Sequence, residues 1–140
     1  MNRKRIFVDT NIIISSILFP QGKTAAVFSH IIETHEIIIS SYTIDECKTV
    51  FEKKFPSKKS FIETFLNEIN YELFVTPQKI DFNEFLEMRD VKDLPILVSA
   101  ILSDADILLS GDKDFQDIQI EKPLIFTPNQ YFDLIQKINE

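Results

Sequence analysis

Four carboxylates are the side chains in this 140-residue chain whose positions best suit them to do chemistry. Each lies where two predicted secondary-structure elements meet; they are Asp9, Glu46, Asp93 and Asp112. Carboxylates held close together repel one another, and some take up protons unless a cation compensates their charge. A ligand set made only of oxygen atoms suits Mg²⁺ or Mn²⁺ rather than Zn²⁺. The pattern therefore indicates a site for a hard divalent cation.

The elements that would position these acids form an alternating series of strands and helices. Short apolar runs predict five strands, at residues 6–8, 36–40, 73–75, 107–109 and 124–126. Helical spacing and cap signals predict helices at residues 23–33, 43–54, 58–69, 81–88, 94–103 and 129–138. This alternation is typical of a parallel sheet with helices on both faces, so we expect a three-layer α/β/α sandwich in one domain, residues 1–140.

The predicted sheet would bring the acids to one edge. Asp9 and Asp112 follow the first and fourth strands, Glu46 is expected in the first turn of the helix after the second strand, and Asp93 precedes the helix that leads to the fourth. In open α/β sheets the carboxyl ends of the strands are the edge where ligands bind. The sequence therefore predicts that the four acids converge at this edge.

Each acid also has a purely structural interpretation. Glu46 ends a four-residue segment with the sequence of a capping box, and local sequence favours a cap. Asp93 fits a helix N-cap, and Asp112 fits a turn residue. Asp9 is the hardest to explain structurally, because a charge directly after a buried strand needs partners. The four acids together are more specific than any one of them.

Composition and charge exclude several other classes of protein. The chain is 44% hydrophobic with thirteen Phe, which is typical of a globular protein. Two Gly cannot form a glycine-rich phosphate loop, and the lone Cys47 cannot form an internal disulfide or a cysteine zinc site. The net charge of −7 argues against a broad basic surface for nucleic acid. The uncharged stretch after Asp9 is too short to span a bilayer, so a cytoplasmic protein without a membrane partner is expected.

Several segments resemble the PIN-domain ribonucleases, and in particular the bacterial and archaeal members that are toxins of toxin–antitoxin pairs. The resemblance extends from about Arg5 to Ile135. It is carried by Val8-Asp9-Thr10-Asn11, by residues 40–46 and 90–97, by residues 104–115 with Ser110-Gly111-Asp112, and by residues 125–128. Two departures are small: Ser110 stands where threonine is common, and Asp104 where glycine often ends the preceding helix.

The resemblance implies a five-stranded parallel sheet in the order 3-2-1-4-5 and a single PIN-like domain. It implies an endoribonuclease that uses Mg²⁺ or Mn²⁺ held by Asp9, Glu46, Asp93 and Asp112, which would also be the catalytic residues. RNA would be the substrate, and an antitoxin protein and a second copy of the chain are the implied partners. The residues expected to orient the acids by hydrogen bonding are Thr10, Asn11, Asp90, Ser110 and Asp114. Lys92 and Lys113 adjoin the acids and are candidates for contacts with RNA phosphates.

Two other functions fit parts of the same sequence. A PIN-like fold that has lost catalysis would serve as a protein-binding module, which the complete set of four acids disfavours. A phosphotransferase or phosphatase would use Asp9 as its nucleophile, but such enzymes need a second acid two residues later, where this chain has Asn11.

Overall fold

The computed structural model describes residues 2–79 and 94–139, with side chains described up to residue 134. The strands are β1 (Arg5–Val8), β2 (Glu36–Ser40), β3 (Glu72–Phe74), β4 (Ile107–Leu109) and β5 (Leu124–Phe126). The α-helices are α1 (Thr10–Leu18), α2 (Lys23–Thr34), α3 (Ser41–Lys54), α4 (Ser60–Glu68), α5 (Leu94–Leu102) and α6 (Pro128–Asn139). Short 3₁₀ turns occur at Pro56–Lys58 and Lys113–Phe115.

The five strands form one parallel sheet in the order β3-β2-β1-β4-β5, which confirms the predicted topology. β1 lies at the centre, with Phe7 paired to Ile38 of β2 and to Leu108 of β4. Its apolar side chains are completely buried, as a strand covered on both faces requires.

The two faces of the sheet are covered by different helices. Alternate residues of β1 point to opposite faces: Ile6 and Val8 join a core cluster with residues of α1, α2, α3, α4 and α6. Phe7 joins a second cluster that contains three buried residues of α5. The three-layer sandwich predicted from the sequence is therefore confirmed.

Two of the predicted helices start two residues away from the observed helix, and the other predicted helices among the described residues agree with the structure within one residue. The third helix begins at Ser41 rather than at residue 43, because Ser40 at the end of β2 is its N-cap and accepts a hydrogen bond from the Thr43 backbone N–H at 3.1 Å. The helix predicted at residues 58–69 begins later, as α4 at Ser60, and Lys58 instead ends the 3₁₀ turn that starts at Pro56. The helix predicted at residues 81–88 lies outside the described residues.

Across the described ranges, no single helix is both long and apolar enough to cross a bilayer. The bent pair of α1 and α2, which meet at 112°, passes that test together on length and composition only.

Candidate functional site

Asp9 is the central side chain at the carboxyl edge of the sheet. It directly follows β1, serves as the N-cap of α1, and is only 5% exposed. Its Oδ1 accepts a hydrogen bond from the Thr10 backbone N–H at 2.7 Å, and its Oδ2 accepts one from the Ser110 hydroxyl at 2.6 Å. A charged group that is removed from water in this way requires such partners.

The pKa of Asp9 is raised from 3.8 to about 6. Burial is the largest cause, and the negative charges of Glu46 and Asp112 raise it further, while the hydrogen bonds from Ser110 and Thr10 lower it. Two of the predicted acids are therefore close enough to Asp9 to act on its ionisation.

Glu46 reaches the site from α3 on the β2 side. The Thr10 hydroxyl donates a hydrogen bond to Glu46 Oε1 at 2.6 Å, which joins residues 36 positions apart. Because α3 begins at Ser41, Glu46 lies in the second helical turn and not in the first. The interpretation of Glu46 as part of a capping box is therefore wrong, since Ser40 caps the helix.

Asp112 reaches the site from the loop after β4. Its backbone N–H donates to the Ser110 hydroxyl oxygen at 3.0 Å. Its Oδ1 accepts from the Asp114 backbone N–H at 2.9 Å, so it caps the 3₁₀ turn Lys113–Phe115. The predicted turn role of Asp112 is therefore real, and it occurs beside the acidic site.

Thr10 and Ser110 join the three described acids into one arrangement. Thr10 donates its backbone N–H to Asp9 and its hydroxyl to Glu46. The Ser110 hydroxyl donates to Asp9 and accepts from the Asp112 backbone N–H. Ser110 is fully buried and Thr10 is nearly so, so these hydroxyls have few alternative partners. They orient one carboxylate oxygen each, on Glu46 and on Asp9.

The chemistry of these donors suits a divalent cation. All of the groups are oxygen ligands of the kind that Mg²⁺ and Mn²⁺ prefer. Burial is the main cause of the raised pKa of Asp9, and the charges of Glu46 and Asp112, which a cation would compensate, raise it further. Within the described residues, no three Asp, Glu, His or Cys side chains are close enough to form a ready set of ligands. Asp93, the fourth predicted acid, lies outside the described residues.

The structure also locates the remaining predicted residues. Asn11 is exposed and lines a cavity beside Asp9. Asp114 contributes its backbone N–H to Asp112, and Lys113 is exposed in the same turn. Asp90 and Lys92 lie outside the described residues.

A second group of hydroxyls near this edge was not predicted from the sequence. The Thr76 hydroxyl lies 2.9 Å from the Ser99 hydroxyl on α5, and the Thr76 backbone N–H donates to Ser41 Oγ at 2.9 Å. These bonds tie the segment after β3 to α3, which carries Glu46, and to α5, which begins next to Asp93. The sequence signal was weak, because isolated Ser and Thr residues occur throughout the chain.

Eight chains of solved structures are significantly similar in fold. One belongs to the crystal structure of VapBC2 from Rickettsia felis bound to a DNA fragment from their promoter. It has a TM-score of 0.68 and 21% sequence identity, and the alignment covers 88% of this chain and 98% of that chain.

No curated protein has a significantly similar sequence. The family model of the PIN domain matches residues 5–114, which is well over half of the chain and includes the three described acids. The chain therefore belongs to the PIN-domain family, whose members are generally nucleases.

Proposed function

We propose that this protein is a metal-dependent endoribonuclease that hydrolyses phosphodiester bonds of RNA, acting as a single PIN-like domain. The observation that supports this most directly is the burial of Asp9 near two other acids. The Ser110 hydroxyl and the Thr10 backbone N–H orient it, and no basic side chain is paired to it among the described residues. A nuclease that binds a divalent cation needs this arrangement. A protein that only serves as a scaffold gains nothing from it, because the repulsion between the acids is unfavourable.

In this proposal Asp9, Glu46, Asp93 and Asp112 hold the cation. A bound Mg²⁺ or Mn²⁺ would lower the pKa of a water molecule and neutralise charge on the phosphoryl oxygens. The Thr10 hydroxyl holds Glu46 Oε1, and the Ser110 hydroxyl holds Asp9 Oδ2, so that both acids keep a fixed orientation when substrate arrives. Glu46 and Asp112 are half-buried, unlike Asp9, and are therefore the described acids best placed to accept a proton from water.

The geometry of Asp9 disfavours a phosphotransferase. Both of its carboxylate oxygens accept hydrogen bonds, and the side chain is almost fully enclosed. A nucleophile needs an oxygen that can reach the phosphorus atom of its substrate. Asp9 is better suited to hold a cation and to orient its neighbours.

We propose further that the protein is the toxin of a toxin–antitoxin pair. The sequence resemblance supports this role, and one similar chain comes from the crystal structure of VapBC2 from R. felis bound to a DNA fragment from their promoter. A cognate antitoxin protein, and a second copy of this chain, are the partners that the proposal implies.

The test is cleavage of a mixed RNA pool by the purified protein with Mn²⁺, with Mg²⁺ and with a chelator. We expect cleavage with either metal and none with the chelator. Asp9→Asn should lower the rate by more than the roughly 100-fold that loss of a residue supporting a metal ligand can cost. Asp45→Asn, an exposed acid on α3, is the matched control and should retain the wild-type rate.

Two outcomes would contradict the proposal. One is a wild-type protein that folds but cleaves no RNA with either metal. The other is an Asp9→Asn protein that cleaves as fast as the Asp45→Asn control, which would point to a contaminating nuclease.

A further inference from the structure

A polar cavity of about 350 Å³ lies beside the acidic site and is not used by it. Its polar lining consists of amide and hydroxyl side chains, from Asn11, Ser15, Thr24, Thr127 and Asn129. None of the described lining side chains carries a charge. The cavity is therefore chemically different from the acidic site that adjoins it.

The cavity and the acids share two stretches of backbone. Asn11 lies two residues after Asp9 on α1, and Gly111 immediately precedes Asp112. The residue between Asp9 and Asn11 is Thr10, whose hydroxyl is directed to Glu46 on the α3 side. The first turn of α1 thus presents Thr10 to the acids and Asn11 to the cavity.

The lining matches the edge of a nucleobase rather than a phosphate group. An amide offers both donors and acceptors, and a hydroxyl offers either, which suits the Watson–Crick edge of an unpaired base. Hydroxyl and amide groups can also contact phosphate, but the described lining has no Lys or Arg to offset the charge of a phosphate group beside the acids, whereas a neutral base needs no such charge. Ile12 and Pro128 supply apolar surface of the kind that a base ring contacts.

The size of the cavity also fits one base. Its volume is at the lower end of the roughly 300–1,000 Å³ of small-molecule sites. A Cβ atom built on Gly111 would meet no atom within 4 Å, so the space above this residue is open. A base can therefore approach the backbone directly before Asp112.

The far wall of the cavity is held rigidly. Thr127 and Gln130 form a reciprocal capping box at the start of α6: the Thr127 N–H donates to Gln130 Oε1 at 2.9 Å, and the Gln130 N–H donates to the Thr127 hydroxyl at 3.1 Å. The exposed side chain of Asn129 takes no part in this cap. No hydrogen bond within the described parts of the chain occupies the side chain of Asn129 or Thr24.

We infer that this cavity is a nucleobase subsite, which binds the base of a nucleotide next to the phosphate that is cleaved and so sets the sequence preference of cleavage. The inference rests on the proposed ribonuclease function. Thr24 and Asn129 are the residues that read the base, and neither contacts the described acids.

The experiment is to map cleavage sites in a random-sequence RNA pool with Mn²⁺ by sequencing the products. The wild type should prefer one base at one fixed position relative to the cut. Thr24→Val and Asn129→Ala should lower that preference about tenfold, within the range of a side chain that pairs with a base. Thr49→Val on α3 and Asn67→Ala on α4 make the same changes at exposed positions outside the cavity and should leave the preference unchanged.

Three results would decide against the subsite. A wild type that cleaves with no base preference, or cavity variants that keep the full preference, would overturn it and leave the ribonuclease proposal intact. If the wild type cleaves no RNA, the proposed function fails, and the cavity is judged by NMR titration of ¹⁵N-labelled protein with the four ribonucleoside 5′-monophosphates. Shifts at Thr24 and Asn129 that Asn129→Ala removes would support base binding, and their absence would overturn it.

Discussion

Both edges of the sheet carry acidic side chains, but their charges are compensated differently. At the amino edge, the Arg5 guanidinium donates to Glu72 Oε2 at 2.6 Å and lies 3.6 Å from Glu36. Asp106, just before β4, accepts the Arg5 backbone N–H at 2.8 Å and lies 3.5 Å from Lys122 Nζ. That backbone hydrogen bond and the charge of Lys122 lower the pKa of Asp106.

At the carboxyl edge the acids are oriented but not neutralised. Asp9, Glu46 and Asp112 accept hydrogen bonds from hydroxyl and backbone groups, and within residues 2–79 and 94–134 no Lys or Arg pairs with them. The pKa of Asp9 rises, whereas that of Asp106 falls. One edge therefore uses its acids to stabilise the fold, and the other keeps negative charge at a cost in stability.

The largest expected effect comes from removing the charge of Asp9. Because its folded-state pKa is raised, the folded protein holds this proton more tightly than the unfolded chain does. The contribution of Asp9 to stability should be most favourable below about pH 4 and should fall as the pH rises to about 6. A rise in the pKa of Asp9 from 3.8 to about 6 corresponds to a loss of about 3 kcal/mol in the free energy of unfolding at neutral pH.

Asp9→Asn should remove that loss, since the asparagine oxygen can still accept the Thr10 N–H. In chelator-treated protein, urea unfolding should show the variant to be more stable than the wild type at pH 7 by up to about 3 kcal/mol, with no difference near pH 4. Mn²⁺ should then raise the unfolding midpoint of the wild type and not that of the variant. A variant that is destabilised equally at both pH values would contradict the conclusion that the charge of Asp9 lowers the stability of the protein at neutral pH.

A smaller effect of the opposite sign is expected at Asp106. Asp106→Ala leaves the Arg5 backbone N–H without its acceptor and should cost about 2 kcal/mol in urea unfolding at pH 7. Asp106→Asn keeps an acceptor and should cost less. Because the folded-state pKa of Asp106 is lowered, its contribution is present above the ordinary Asp pKa and is lost as the pH falls through the folded value.

If Asp106→Ala stabilised the protein as Asp9→Asn is expected to do, the acids at the two edges of the sheet would not differ in their effect on stability. Cleavage of RNA by the folded Asp106 variants should remain at the wild-type rate, because this acid lies at the opposite edge from the candidate site.

The strands and the placement of two acids could be predicted because they depend on local signals. Apolar runs end abruptly at Asp9 and at Ser110, so the ends of β1 and β4 are visible in the sequence. The alternation with helices then makes the sheet parallel, which brings the carboxyl ends of these strands together. The sheet order came from the family resemblance and agrees with the structure.

The role of Glu46 could not be predicted locally, because its contact is made across the chain. The sequence from Thr43 to Glu46 has the form of a cap, but Ser40 is available at the end of β2 and begins the helix earlier. The partner of Glu46 is Thr10, on a different helix. The polar cavity could not be predicted for the same reason, since four separate stretches of the chain contribute to its lining.

The smallest stability effect, and the sharpest test of the carboxyl edge, is expected from Glu46→Gln. Glutamine can still accept the Thr10 hydroxyl at Oε1, and Glu46 is not a helix cap, so the free energy of unfolding should change by less than about 0.5 kcal/mol. The loss of charge should nevertheless reduce both RNA cleavage and the stabilisation by Mn²⁺, with Asp45→Asn as the control for a general change in charge on α3. If Glu46→Gln keeps both cleavage and Mn²⁺ stabilisation, Glu46 does not hold the cation. Its hydrogen bond with Thr10 would then serve only to join α3 to α1, as the ion pairs of Arg5 serve to join strands at the amino edge.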